Sequence, residues 1–163
     1  MYATNASPSS FELRSGTVAD APACGAIIYD AFRTVAEAHR FPPDFPNPAL
    51  AIELAARLLT NPKVHSVVAE ADGQIVGSNF LHEQGPIAGV GPITVHPRHQ
   101  NGRIGRRLMS AVLARSAARG APGVRLVQAA YHSRSLSLYA KLGFDVREPL
   151  AVLQGPPVGA SLP

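Results

Sequence analysis

Between His96 and Met109 the sequence HPRHQNGRIGRRLM places two glycines and four arginines in fourteen residues that contain no carboxylate. Such a run suits chemistry done on an anion. Ile104, Leu108 and Val112 recur at helical spacing, so the stretch reads as a loop entering a helix near Arg103. The first amides of a helix have no intrahelical acceptor, and the helix dipole adds partial positive charge there. Glycine lets a ligand approach the backbone closely, which makes such a turn a good seat for phosphate. Arg103, Arg106 and Arg107 fall in the same turn, where they oppose the dipole and repel one another unless an anion offsets them.

The charge distribution points the same way. Residues 1–83 carry 5 basic and 9 acidic groups, net −4, whereas residues 84–163 carry 10 basic and 2 acidic, net +8. No acid stands between Gln84 and Phe144, so this half favours an anionic ligand. The hydrophobic fraction of 46% against 16% charged describes a globular chain and not a disordered one. A lone Cys24 excludes an internal disulfide framework and sits in line with Ile27, Ile28 and Ala31 on a helical face, as a buried structural thiol would. No apolar run is long enough to span a membrane, and the first residues lack the pattern of a secretory leader, so no membrane partner and a cytoplasmic location are expected. The six histidines (39, 65, 82, 96, 99 and 132) show no ligand spacing, and no metal is expected.

The elements that must position these residues follow from periodicity. FELRSG (11–16) reads as a first strand, and Thr17 to Asp20 as a capping box opening a helix that runs to about His39. FPPDFPNP (41–48) interrupts regular structure, and Asn47-Pro48 starts a second helix through Leu50, Leu54, Leu58 and Leu59. VHSVVAEA (64–71), Asp72-Gly73 and QIVGSNFLHE (74–83) form a hairpin. IAGVGPITV (87–95) is a further strand whose Gly89, Gly91 and Pro92 predict a bulge or a break. A helix from about Arg103 to Arg119 stops at Gly120. VRLVQAA (124–130) is a strand, RSLSLYAKLG (134–143) a short helix, and FDVREPLAVL (144–153) one or two final strands. The order β-α-α-β-β-β-α-β-α-β(-β) implies one α/β domain over 11–153 between loose tails (1–10 and 154–163).

Neither the Walker pattern nor G-x-G-x-x-G is present. Gln100 to Gly105, QNGRIG, instead resembles the pyrophosphate signature Q/R-x-x-G-x-G/A of the GCN5-related N-acetyltransferases. Arg103 stands at the first glycine position of that signature, with Gly102 one residue earlier. His132 to Phe144, HSRSLSLYAKLGF, resembles the family's N-x-x-A-x-x-L-Y-x-x-x-G-F segment, with His132 for asparagine and Ser135 for alanine. The resemblance implies a mixed, mostly antiparallel sheet flanked by helices, and acetyl transfer from acetyl-CoA to a primary amine of a small molecule or peptide by direct attack. It places the pyrophosphate on Gln100, Asn101, Gly102, Arg103, Ile104, Gly105 and Arg106, and the pantetheine arm along Ile93, Thr94 and Val95. It brings His132, Ser135 and Tyr139 to the cofactor, with Tyr139 as the acid that protonates the CoA sulfur.

The fourth strand offers no carboxylate, so Glu83 is the candidate general base, with His82 and His132 as alternatives. Phe41, Asp44 and Phe45, between the first two helices, are candidate acceptor contacts. Many relatives pair as dimers, which leaves a homodimer open. Gly102-Arg103-Ile104-Gly105 also satisfies the G-x-x-G loop of KH domains, but no aromatics interleave the basic run, and nucleic acid is not the expected partner. A third reading is an acyl-CoA sensor without turnover.

Overall fold

The computed structural model describes residues 10–151. The elements are β1 (Glu12–Ser15), α1 (Ala21–Ala38), α2 (Pro48–Thr60), β2 (Val64–Ala71), β3 (Gln74–His82), β4 (Ala88–Val90), β5 (Thr94–Val95), α3 (Ile104–Ala118), β6 (Val124–Leu126) and α4 (Ser133–Ala140). The chain falls into two units that divide between Val127 and Gln128.

In the first unit β2 and β3 form the centre of the sheet. Asp72 and Gly73 take φ of 51° and 72°, the left-handed pair that a two-residue primed turn demands. The strand order is β1-β2-β3-β4-β6, with β5 also on β3. Every pairing is antiparallel except β4 with β6.

The side chains of β3 alternate between two helical layers. Phe80, together with Val68 of β2, packs against Cys24 and Ile28 of α1 and Ala51, Ala55 and Leu58 of α2. On the opposite face lie Asn79, whose Nδ2 donates to the Leu108 carbonyl at 3.3 Å, and Gly77, beneath Ile104 and Leu108 of α3. Buried Ile104, Leu108, Met109 and Val112 form the inner stripe of α3, as the spacing predicts. Cys24 is fully buried, and desolvation pushes its thiol up to about 11.

Helix ends follow from local chemistry. Asp20 closes the capping box, its carboxylate accepting from the Thr17 amide at 2.8 Å, and the Asn47 side chain accepts from the Leu50 amide at 3.2 Å. α3 ends in a Schellman motif: Ala121 N–H reaches the Ser116 carbonyl and Gly120 N–H that of Ala117, with Gly120 at φ 69°.

The sequence reading departs from the structure in three places. The expected strand over 87–95 is two short pieces, because Pro92 has no N–H to give the ladder and Gly91 sits at φ 134°. The strand expected over 124–130 stops at Leu126, since β6 pairs only with the three residues of β4. No strand occupies residues 144–151, and 152 and 153 lie outside the described residues, as do the expected tails except Ser10. Val146 and Leu150 show strand alternation but remain 77% and 61% exposed. No ladder among the described residues includes them, and Pro149 lacks a donor.

α1 and α2 touch most closely at Gly25, where an added Cβ would fall 2.3 Å from the Ile52 Cα. Gly25→Ala is therefore expected to force the helices apart and lower unfolding free energy by about 1–3 kcal/mol despite alanine's better helix propensity. Urea denaturation measures this; an unchanged midpoint would show that the helices yield freely.

Candidate functional site

Three features of the first unit converge around β5. The first is an open strand edge. Thr94 pairs with Ser78 and Val95 with Gly77, and the His96 amide donates to the Val76 carbonyl at 2.9 Å. Alternation therefore turns the backbone groups of Thr94 and His96 toward β3, and those of Ile93 and Val95 to the other side. No described strand pairs with that side. The Val95 carbonyl there accepts from Gln100 Nε2 at 3.2 Å, so Gln100 braces the loop to the strand. Thr94 is buried with its hydroxyl 3.3 Å from that of Ser78.

The second feature is the loop into α3. His96 caps a short 3-10 turn, Pro97–His99, by accepting from the Arg98 amide at 3.2 Å. Asn101 (φ 73°) and Arg103 (φ 64°) are both left-handed. Arg103 thus holds the conformation a glycine would supply at this point of the signature, at a cost of about 1–2 kcal/mol, while its side chain is exposed. The first intrahelical bond runs from Arg107 N–H to the Arg103 carbonyl at 3.0 Å. The amides of Ile104, Gly105 and Arg106 precede it and have no acceptor within the helix. Arg107 is taken up elsewhere, 4.6 Å over the Phe11 ring and donating to the Phe11 carbonyl at 3.3 Å. Arg103 and Arg106 stay exposed and form no ion pair among the described residues.

The third feature is a cleft of about 350 Å³ where β4 and β6 part, lined by His82, Gly89 to Pro92, and Arg125 to Val127. His82 Nε2 lies 2.8 Å from the Gly91 carbonyl. A carbonyl only accepts, so Nε2 carries the proton and Nδ1 is left as the acceptor of the neutral ring.

Glu83 stands directly after β3, and its carboxylate is already paired. Its carboxylate meets Arg115 Nε at 2.9 Å and Arg119 Nη1 at 3.1 Å, with its side chain only 8% exposed. The Arg115 hydrogen bond is the main cause holding its pKa below the usual carboxylate range. A carboxylate so paired gives up proton affinity, which works against a role as general base. Phe45 packs edge-on to Phe32 at 5.8 Å, whereas Phe41 and Asp44 are exposed. None of the three lines the cleft.

In the second unit, LYAKLGF forms a helix stop. Phe144 N–H bonds the Tyr139 carbonyl and Gly143 N–H that of Ala140, with Gly143 at φ 89° and the Tyr139 and Phe144 rings 6.0 Å apart. This is the Schellman motif with its hydrophobic contact. Tyr139 is buried and desolvation pushes its phenol up to about 12. The Ser135 hydroxyl lies 2.7 Å from Gln128 Oε1 and 2.9 Å from His132 Nδ1.

The fold and the family are known from other proteins. Residues 28–144 match the model of the acetyltransferase (GNAT) family, and the chain belongs to that family. Among solved structures, a mutant of the BH1408 protein from Bacillus halodurans aligns at a TM-score of 0.75 and 15% identity, covering 89% of this chain and 99% of that one. The PaiA N-acetyltransferase of Thermoplasma acidophilum, in complex with coenzyme A, aligns at 0.74 and 18%, covering 86% and 92%. AAC(6')-Iy with a CoA bisubstrate analogue aligns at 0.70 and 16%, covering 91% and 99%. No curated protein matches the sequence.

Sequence reasoning missed the Glu83 pairing, the Gln100 brace and the place of Arg125. The i,i+4 spacing of Arg115 and Arg119 was visible, but their partner lies on a distant strand. Arg125 between Val124 and Leu126 carried the strand signal of one polar face.

Two variants follow. Glu83→Gln is expected to cost roughly 1 kcal/mol of stability, since both arginines are part exposed, and to leave turnover per folded molecule within about threefold, where losing a general base costs about 10²–10⁴. A fall of that latter size with stability intact would restore Glu83 as the base. Arg103→Gly relieves the left-handed strain but gives the unfolded chain more freedom, so a net gain of up to about 1 kcal/mol is expected in thermal unfolding; a clear loss would mean that the arginine side chain holds the loop.

Proposed function

We propose that the protein transfers an acetyl group from acetyl-CoA to a primary amine by direct attack of the amine in a ternary complex. The observation that carries this is the continuity of an open strand edge at Ile93–Val95 with the unpaired first turn of α3, which begins nine residues after Val95. The two suit the two parts of one extended ligand. The amides from Gly102 to Arg106, with exposed Arg103 and Arg106, receive the pyrophosphate. Ile93 offers its outward backbone groups, and Val95 its outward N–H, to the amide-bearing pantetheine arm, while the Val95 carbonyl stays with Gln100.

Acetyl-CoA supplies the thioester, whose C–S bond breaks as the acceptor nitrogen forms its bond to the carbonyl carbon. An outward N–H of Ile93 or Val95 donates to the carbonyl oxygen as charge develops there. The attacking amine must lose a proton, and we assign its acceptance to His82 Nδ1, directly or through a water, in place of Glu83. The departing thiolate gains a proton from Tyr139, a phenol that is protonated at neutral pH and whose pKa burial raises further. His132 and Ser135 support the cofactor side through their mutual hydrogen bond. The Phe41–Phe45 connection is assigned the outer rim of the acceptor site, with Asp44 receiving the ammonium. No helix among the described residues is long and apolar enough to cross a membrane, and the free buried Cys24 fits a reducing compartment, so we place the protein in the cytoplasm.

Thiol release from acetyl-CoA in the presence of amino acids, polyamines, aminoglycosides and peptides tests this reading. Tyr139→Phe and His82→Gln are each expected to lower kcat at least about tenfold. Binding of acetyl-CoA with no release for any amine would favour the sensor, and release unaltered in both variants would remove their assigned roles.

A further inference from the structure

The cleft also carries information about the acceptor. His82 pairs with Gly89 across β3 and β4, and Gly89 with Arg125 across β4 and β6. The three form one cross-strand row, and by alternation from Phe80 the row lies on the face covered elsewhere by α1 and α2, opposite α3. Its middle member has no side chain. A Cβ on Gly89 would meet only the His82 Cβ, at 3.6 Å, so glycine is not required by the packing and its effect is to leave an open floor between an imidazole and a guanidinium. The remaining walls come from Val90, Leu126 and Val127, and no carboxylate lines the cleft. The carboxylate next to His82 in sequence, Glu83, is consumed by Arg115 and Arg119. Arg125 forms no ion pair among the described residues, and it stands within the acid-free stretch from Gln84 to Phe144.

A guanidinium fork without a protein partner, at the edge of a partly apolar cleft, matches a carboxylate or phosphate in geometry and charge. A polycationic amine would meet only repulsion from it. We propose that this cleft selects acceptors carrying an anionic group, carboxylate or phosphate, beside the amine, and that Arg125 is the residue that recognises it. The inference rests on the acetyltransferase reading. It narrows the acceptor to anionic amines, as distinct from polyamines and aminoglycosides.

Calorimetry on the protein saturated with CoA tests the proposal without requiring turnover. The probes are the proteinogenic amino acids against their α-amides, glucosamine 6-phosphate against glucosamine, and spermidine. The expected result is at least one charged probe that binds about tenfold or more tighter than its uncharged counterpart. Arg125→Gln should abolish that preference, Arg125→Lys should restore part of it, and both should bind CoA as the wild type does. Preference within the amino acid pair assigns a carboxylate, and preference within the sugar pair a phosphate. Gly89→Val, which fills the floor, should weaken the charged probe while sparing CoA. Equal binding within both pairs, tighter binding of spermidine, or loss of CoA affinity in Arg125→Gln would overturn the inference. Failure of the wild type to bind CoA at all would instead count against the acetyltransferase reading itself.

Discussion

The interruption of the backbone ladder at Gly91 and Pro92 is the constraint on which the rest of the site depends. Up to Val90 the chain is an ordinary inner strand, with β3 on one side and β6 on the other. Proline then withholds a donor and the chain turns, so that β5 resumes on β3 alone. Polar backbone left unpaired inside a protein is costly. Here it lies along an open edge, where Gln100 satisfies one carbonyl and the others remain for a ligand. The cleft between β4 and β6 is the same interruption seen from the side of Leu126 and Val127.

Beyond that edge lies the first turn of α3, the proposed pyrophosphate seat, whose position is fixed by close packing. An added Cβ at Gly77 would fall 2.9 Å from the Thr94 carbonyl and 3.3 Å from Ile104 Cγ2. The absence of a side chain there lets β5 and the first turn of α3 settle together over β3. The loop between them is held by small local bonds and two left-handed residues that are not glycine, Asn101 and Arg103. Strain of this kind persists only where its surroundings enforce it and collects at functional sites. The clustered arginines add a second local cost, partly offset by the seating of Arg107 on Phe11. Both costs are understandable if the turn exists to meet an anion.

Much of the fold was legible because its signals are local. The capping box at Thr17–Asp20, the Asn47-Pro48 start, the Asp72-Gly73 turn and the Gly120 stop each depend on a few neighbouring residues, and each stands where the sequence puts it. The break at Gly91-Pro92 was readable for the same reason. What could not be read depends on partners distant in sequence. Whether residues 144–151 pair depends on a neighbouring strand and not on their own alternation. Glu83 offers a plausible base until Arg115 and Arg119, thirty-odd residues away, close on it. At Arg103 only the backbone geometry shows that arginine itself has taken the left-handed conformation a glycine would supply.

The most direct test of the central claim is isothermal titration of the purified protein with acetyl-CoA, repeated on Arg106→Glu. The account predicts micromolar binding to the wild type and its loss in the variant, because a carboxylate would then face the pyrophosphate at the start of α3. No binding at millimolar acetyl-CoA, or equal binding by both proteins, would contradict the assignment of this turn as the pyrophosphate site.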